Sequence, residues 1–109
     1  MIFLKISSQS ESVITEIALL LCRNRLVIDM IIKRNLERLV YLDDGLESQS
    51  ITLITSMTKA RLFDSIDSFI RRSFPDETLE IFSLPIVHMD WENANHLNND
   101  ITEGLDFVS

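Results

Sequence analysis

Leu26-Val27-Ile28-Asp29-Met30-Ile31-Ile32-Lys33-Arg34-Asn35-Leu36-Glu37-Arg38-Leu39-Val40-Tyr41-Leu42-Asp43-Asp44-Gly45 is the stretch on which the fold turns. From Leu26 to Leu42 it is rich in β-branched and large apolar residues, which pack well on a pleated surface, so it reads as one long strand. The polar segment Lys33-Arg34-Asn35 interrupts the pattern and predicts a bend or bulge there. Asp43-Asp44-Gly45 is a turn signal, because glycine accepts the positive φ that a tight hairpin demands. The chain then returns as a strand over Ile51–Ser56, where Ile51, Leu53 and Thr55 alternate with Thr52, Ile54 and Ser56. The result is a long antiparallel hairpin.

Upstream, Ile2-Phe3-Leu4-Lys5-Ile6 is a short apolar strand that runs into Ser7-Ser8-Gln9-Ser10. Ser8 with Glu11 three residues on fits a capping box for a first helix. That helix buries Val13, Ile14, Ile17, Ala18, Leu20 and Leu21 at the 3.6-residue period and stops at Asn24-Arg25. Downstream, Thr58 is placed to cap a second helix with the stripe Leu62, Phe63, Ile66, Phe69 and Ile70. Arg71 and Arg72 face the negative end of its dipole, and Phe74-Pro75 ends it. A last strand runs from Thr78 to Leu84 and stops at Pro85. The sum is β-α-β-β-α-β, an α+β, ferredoxin-like four-stranded antiparallel sheet with both helices on one face.

Such a sheet has a second face, and strands 26–32 and 51–56 carry apolar residues for it as well. At about 25 cal/mol per Å², a wet apolar face is costly. Either the segment 86–109 folds across it or copies of the chain associate, and symmetric self-association is the expectation.

The chain has 109 residues, 46% apolar and 25% charged, with two glycines and two prolines, as expected of one compact domain with little spare volume for a deep site. Seventeen acidic residues against ten Lys and Arg give a formal charge of -7, which argues against nucleic acid or an anionic membrane as partner. The longest apolar run, Ile17 to Cys22, is far below the roughly 20 residues that span a bilayer. A lone cysteine, Cys22, and an N-terminus without signal-peptide features make the cytoplasm the expected compartment.

His88, Asp90 and Glu92 alternate at i, i+2 and i+4, so on an extended segment they share one side and could offer a nitrogen and two oxygens to Zn²⁺ or Cu²⁺. The competing reading is a solvated strand edge. His96 joins only if the chain turns back over 91–98, and Trp91 reads as a packing residue. Cys22 sits in an apolar stripe and reads as a buried structural thiol. No nucleophile motif surrounds Cys22, His88 or His96, and Gly45 and Gly104 are too far apart to form a phosphate loop. Lys33, Arg34, Arg38, Lys59, Arg61, Arg71 and Arg72 hold most of the basic charge, as a cleft for an anionic ligand or as a solvated rim.

The segment Phe74-Pro75-Asp76-Glu77-Thr78-Leu79-Glu80-Ile81-Phe82-Ser83-Leu84-Pro85-Ile86-Val87-His88 resembles the CutA family of divalent-cation-tolerance proteins. In that family the second helix ends in His-Pro-Tyr, Pro-Glu-(Ile/Leu) follows, and the fourth strand ends in Leu-Pro-(Ile/Val). Pro75, Glu80, Ile81, Leu84, Pro85 and Ile86 stand on matching positions without a gap. Gly45 after an acidic residue, with Tyr41 four residues before it, is similar to the family's Trp-Glu-Gly hairpin turn. The likeness covers about residues 2–97, the CutA-like domain, and leaves 98–109 as a tail.

This resemblance implies a ferredoxin-like subunit of a tight homotrimer, joined by long strand pairs edge to edge. It implies no catalytic activity, a link to divalent metal tolerance, and a fold shared with the PII signalling proteins, which bind ligands between subunits. Departures fall on the polar positions: Met57-Thr58 for Lys-Thr, Phe74-Pro75-Asp76 for His-Pro-Tyr, Leu79-Glu80 for Pro-Glu, Asp43 for the hairpin tryptophan, and Asp29 or Met30 for a cysteine. The leading expectation is a non-enzymatic CutA-like trimer with Cu²⁺ or Zn²⁺ as its metal ion. The alternative is a PII-like sensor holding an anionic ligand in intersubunit clefts lined by Lys33, Arg34, Lys59 and Arg61.

Overall fold

A computed structural model describes residues 1–86 of the chain. The order is β1 (Ile2–Ser8), α1 (Glu11–Arg23), β2 (Ile31–Leu42), β3 (Gly45–Thr58), a single 3₁₀ turn (Ala60–Leu62), α2 (Phe63–Ser73) and β4 (Glu80–Pro85). The four strands form one antiparallel sheet in the order β2-β3-β1-β4. This is the expected ferredoxin-like βαββαβ architecture. The tail 98–109 lies outside the described residues.

Register fixes which side chains share a face. Ile32 pairs with Ile54, Ile54 with Ile6 and Ile6 with Ile81, so one row of isoleucines crosses all four strands on the helix-side face. Ile14, Ile17 and Leu21 of α1 and Leu62, Ile66 and Ile70 from the second helical segment are fully buried in the same core. The opposite, open face presents Phe3, Ile31, Phe82 and Leu84, which are 39%, 56%, 55% and 44% exposed. Among the described residues the sheet is therefore covered by helices on one side.

The hairpin forms where the sequence places it, and β3 is longer than expected, reaching back to Gly45. Gly45 has φ 117° and no heavy atom within 4 Å of where a Cβ would stand, so the turn needs its backbone freedom and not its small size. The bulge lies between Lys33 and Leu36, and Asn35 takes the left-handed conformation at φ 57°. Asparagine tolerates that region better than most residues.

Three local assignments are corrected. The cap of α1 is Ser10, whose Oγ accepts the Val13 N–H at 3.4 Å, while Ser8 Oγ accepts the Ser10 N–H at 3.0 Å. Glu11 is thus the first helical residue, too early to reach back as a capping box requires. Thr58 caps no helix: it ends β3 fully buried, and its hydroxyl donates to the Leu26 carbonyl at 2.7 Å. The 3₁₀ turn then leads into α2, which has no side-chain cap. Residues Leu26–Met30 precede the strand and are not part of it.

The reason lies at the end of α1. The Arg25 N–H donates to the Cys22 carbonyl and the Leu26 N–H to the Leu21 carbonyl, both at 3.1 Å, with Arg25 at φ 56°. This is a Schellman motif, and its hydrophobic contact is Leu26 against Leu21, both fully buried. Leu26 and Val27 are core residues delivered by a helix cap rather than by a strand. The Cys22 thiol is on the exposed side of the helix, which corrects the expectation of burial.

Arg25 occupies a position that glycine takes without steric penalty, so Arg25→Gly should raise unfolding free energy by about 1 kcal/mol in urea titrations. Thr58→Val leaves the buried Leu26 carbonyl without its donor and should lower it by about 1–3 kcal/mol in the same assay.

Candidate functional site

Two features beyond the helix-covered core remain: the open face and the far half of the hairpin. Past the bulge, Leu36 pairs with Ile51, Arg38 with Gln49 and Val40 with Glu47, which continue the open face. Leu39 pairs with Ser48 and Tyr41 with Leu46 on the opposite side, beyond the reach of the helices. Leu39, Tyr41 and Leu46 are accordingly exposed, Tyr41 by 85%. This arm, residues 36–51, is an apolar surface carried on a two-stranded ribbon.

The arm does not stand away from the body. Arg38 forms an ion pair with Glu80 of β4, and a cavity of about 600 Å³ opens between the arm and the ends of β1 and β4. Its polar lining includes Ser7, Gln9, Gln49, Asp76 and Thr78. An adjoining depression along the open face is lined by Lys5, Leu53, Phe82 and Leu84. On the other side of the bulge, Arg34 Nε lies 2.7 Å from Glu11 Oε1 in the first turn of α1. These charges are mixed in sign and arranged in pairs.

The four basic residues expected to line a ligand cleft take separate places within one chain. Lys33 pairs with Leu53 on the open face, Arg34 is engaged by Glu11, Lys59 is buried just past β3, and Arg61 is exposed in the 3₁₀ turn. Positions 53 and 59 are six residues apart, or about 20 Å along an extended chain. The structure does not gather them in a single subunit. Arg71 and Arg72 end α2, where Arg71 Nε meets Asp67 Oδ1 at 2.8 Å on the helix surface.

His88, Asp90 and Glu92, with Trp91 and His96, lie outside the described residues. Among the described residues no group of three or more His, Cys, Asp or Glu side chains could hold a metal ion. Nor is any helix among them long and apolar enough to cross a membrane. The pair that sequence reasoning did not connect is Arg38 with Glu80. The only signal was the position of Arg38 just past the predicted bulge.

The fold defines a ferredoxin-like domain with a long β2–β3 hairpin. Its backbone is similar to that of the CutA1 divalent cation tolerance proteins, and the likeness is one of fold. The chain matches the divalent cation tolerance protein CutA1 of Thermus thermophilus with a TM-score of 0.79 at 22% identity, covering 94% of this chain and 100% of that one. Against CutA1 of Oryza sativa the TM-score is 0.81 at 16% identity, over 94% of each chain. The periplasmic divalent cation tolerance protein CutA of Archaeoglobus fulgidus gives 0.78 at 16% identity, over 94% of this chain and 100% of that one. No family model matches the sequence. No curated protein matches it either.

The turn of the arm rests on Asn35. Asn35→Gly should be neutral or stabilising in thermal melts, whereas Asn35→Val, β-branched at positive φ, should cost about 1–3 kcal/mol and lower the melting temperature.

Proposed function

We propose that the chain is a non-catalytic, homotrimeric protein of the CutA type that acts in the response to divalent cations. The observation that carries this reading is the one-sided sheet: Phe3, Phe82 and Leu84 on the open face and Leu39, Tyr41 and Leu46 on the arm form two apolar surfaces that are exposed among the described residues. Exposed apolar area of this kind marks an interface, and a closed ring of three copies covers one patch with the other in every subunit. Support also comes from the neighbours, which this chain matches over nearly their whole length and which are titled divalent cation tolerance proteins.

The cation enters through His88, Asp90 and Glu92, whose donor set suits Zn²⁺ or Cu²⁺. Both histidines of the chain, His88 and His96, lie in this C-terminal stretch. The departures at Asp29 or Met30, at Met57 and at Phe74 leave a cation site of this chain to its own residues.

Sedimentation should give three times the 12.6 kDa of one chain. A mass of one chain would end the trimer reading. Leu39→Asp combined with Leu46→Asp places charges on the arm and should drive the assembly to monomer. For the cation, Zn²⁺ or Cu²⁺ at a hundred times its dissociation constant stabilises the folded state by about 2.7 kcal/mol and raises the melting temperature. His88→Ala should abolish that rise. No rise with either ion sinks the cation reading, and a rise with adenine nucleotides or simple anions instead would favour a PII-like sensor using Lys33, Arg34, Lys59 and Arg61.

A further inference from the structure

Arg38 and Glu80 belong to β2 and β4, the two outer strands of the sheet, yet their side chains form an ion pair. In a flat sheet three inter-strand spacings put about 14 Å between those strands. Register adds a displacement along them. Arg38 is level with Gln49 on β3, whereas Glu80 is level, through Ser7, with Leu53. Four residues of strand are about 13 Å. Arg and Glu side chains cannot meet across that diagonal unless the arm curls over the open face. The pair therefore reports a posture of the arm.

The strand changes direction at the bulge, where Asn35 sits at φ 57° and an extra residue leaves the ladder. Arg34, within the bulge, ties to Glu11 of α1, while Arg38, four residues on, ties to β4. The arm is thus anchored on both sides of its bend, once to each layer of the domain. The cavity between arm and body exists because of this posture. Ser7 lines it and is 8% exposed.

We propose that Arg38 and Glu80 form a clasp that holds the hairpin arm over the open face, with the bulge at Asn35 as its hinge. The two side chains are 39% and 35% exposed, so the pair contributes little to unfolding free energy. Its work is geometric: it fixes the angle at which Leu39, Tyr41 and Leu46 are presented. This part rests on the self-association reading, because a presented apolar surface needs a second copy to receive it. Arg38 and Glu80 are positioning residues for the assembly.

The test measures arm posture directly in the full chain. With Cys22→Ser removing the native thiol, Glu47→Cys on the arm and Asp64→Cys on α2 carry spin labels at exposed positions. Labelled chain is diluted into excess unlabelled chain, so electron–electron resonance reads distances within one subunit whatever the oligomer. The clasped arm gives one narrow distance distribution. Arg38→Glu alone and Glu80→Arg alone put like charges together and should broaden and lengthen it, and the double exchange should restore it. Circular dichroism confirms folding, and Arg38→Met with Glu80→Met replaces any variant that fails to fold. An unchanged distribution in both single variants, or a double exchange that does not restore it, overturns the clasp. Sedimentation of the same samples reads the assembly separately: a monomeric wild-type chain would overturn the trimer and leave the distance result standing.

Discussion

Four isoleucines, Ile32, Ile54, Ile6 and Ile81, stand side by side across the sheet, one from each strand, and the rest of the molecule is arranged around that row. Ile54 and Ile6 are fully buried beneath both helices. Because strand side chains alternate, placing this row inward fixes the face of every other strand residue, and a slip of one position would reverse them all. Phe3, Phe82 and Leu84 are exposed as a direct consequence. The same packing that stabilises the domain leaves an apolar face among the described residues.

The hairpin extends this logic past the edge of the core. Up to Lys33 the strand obeys the register set by the isoleucine row, and past Leu36 it is a ribbon without helices behind it. Two strands alone are marginal in water, so a ribbon of this length needs either ties to the body or a partner. The ion pairs of Arg34 with Glu11 and Arg38 with Glu80 supply the first. They are exposed enough to be weak as stabilisers, yet they act at the bend, where a small energy selects an angle rather than a fold.

Periodicity and turn chemistry made most of the scaffold legible. Lys33-Arg34-Asn35 interrupts an apolar run, and a bulge forms there; Asn24-Arg25 follows an amphipathic stripe, and the helix ends there. What the sequence misplaced depends on partners far along the chain. Thr58 looks like a helix cap because a polar residue precedes an apolar stripe, yet its hydroxyl is bound by Leu26, 32 positions away. Leu26 and Val27 look like strand because they are apolar, and a left-handed Arg25 delivers them to the core from a loop. Among Ser7, Ser8 and Ser10, local spacing favoured the wrong hydroxyl.

The site was less legible for a related reason. Lys33, Arg34, Lys59 and Arg61 are expected around a cleft between subunits; within one chain they take separate places, and Glu11 engages Arg34. Arg38 and Glu80 are 42 positions apart and belong to opposite edges, so neither local pattern nor strand order predicts that they touch. Only the curl does, and curl depends on a backbone angle at Asn35. The sequence departs from the CutA pattern at Asp29 or Met30, at Met57 and at Phe74, and the constraint that persists is geometric. The isoleucine row, the bulge and the two ion pairs set where the two apolar surfaces of the described residues lie, and none of them uses the polar positions that depart.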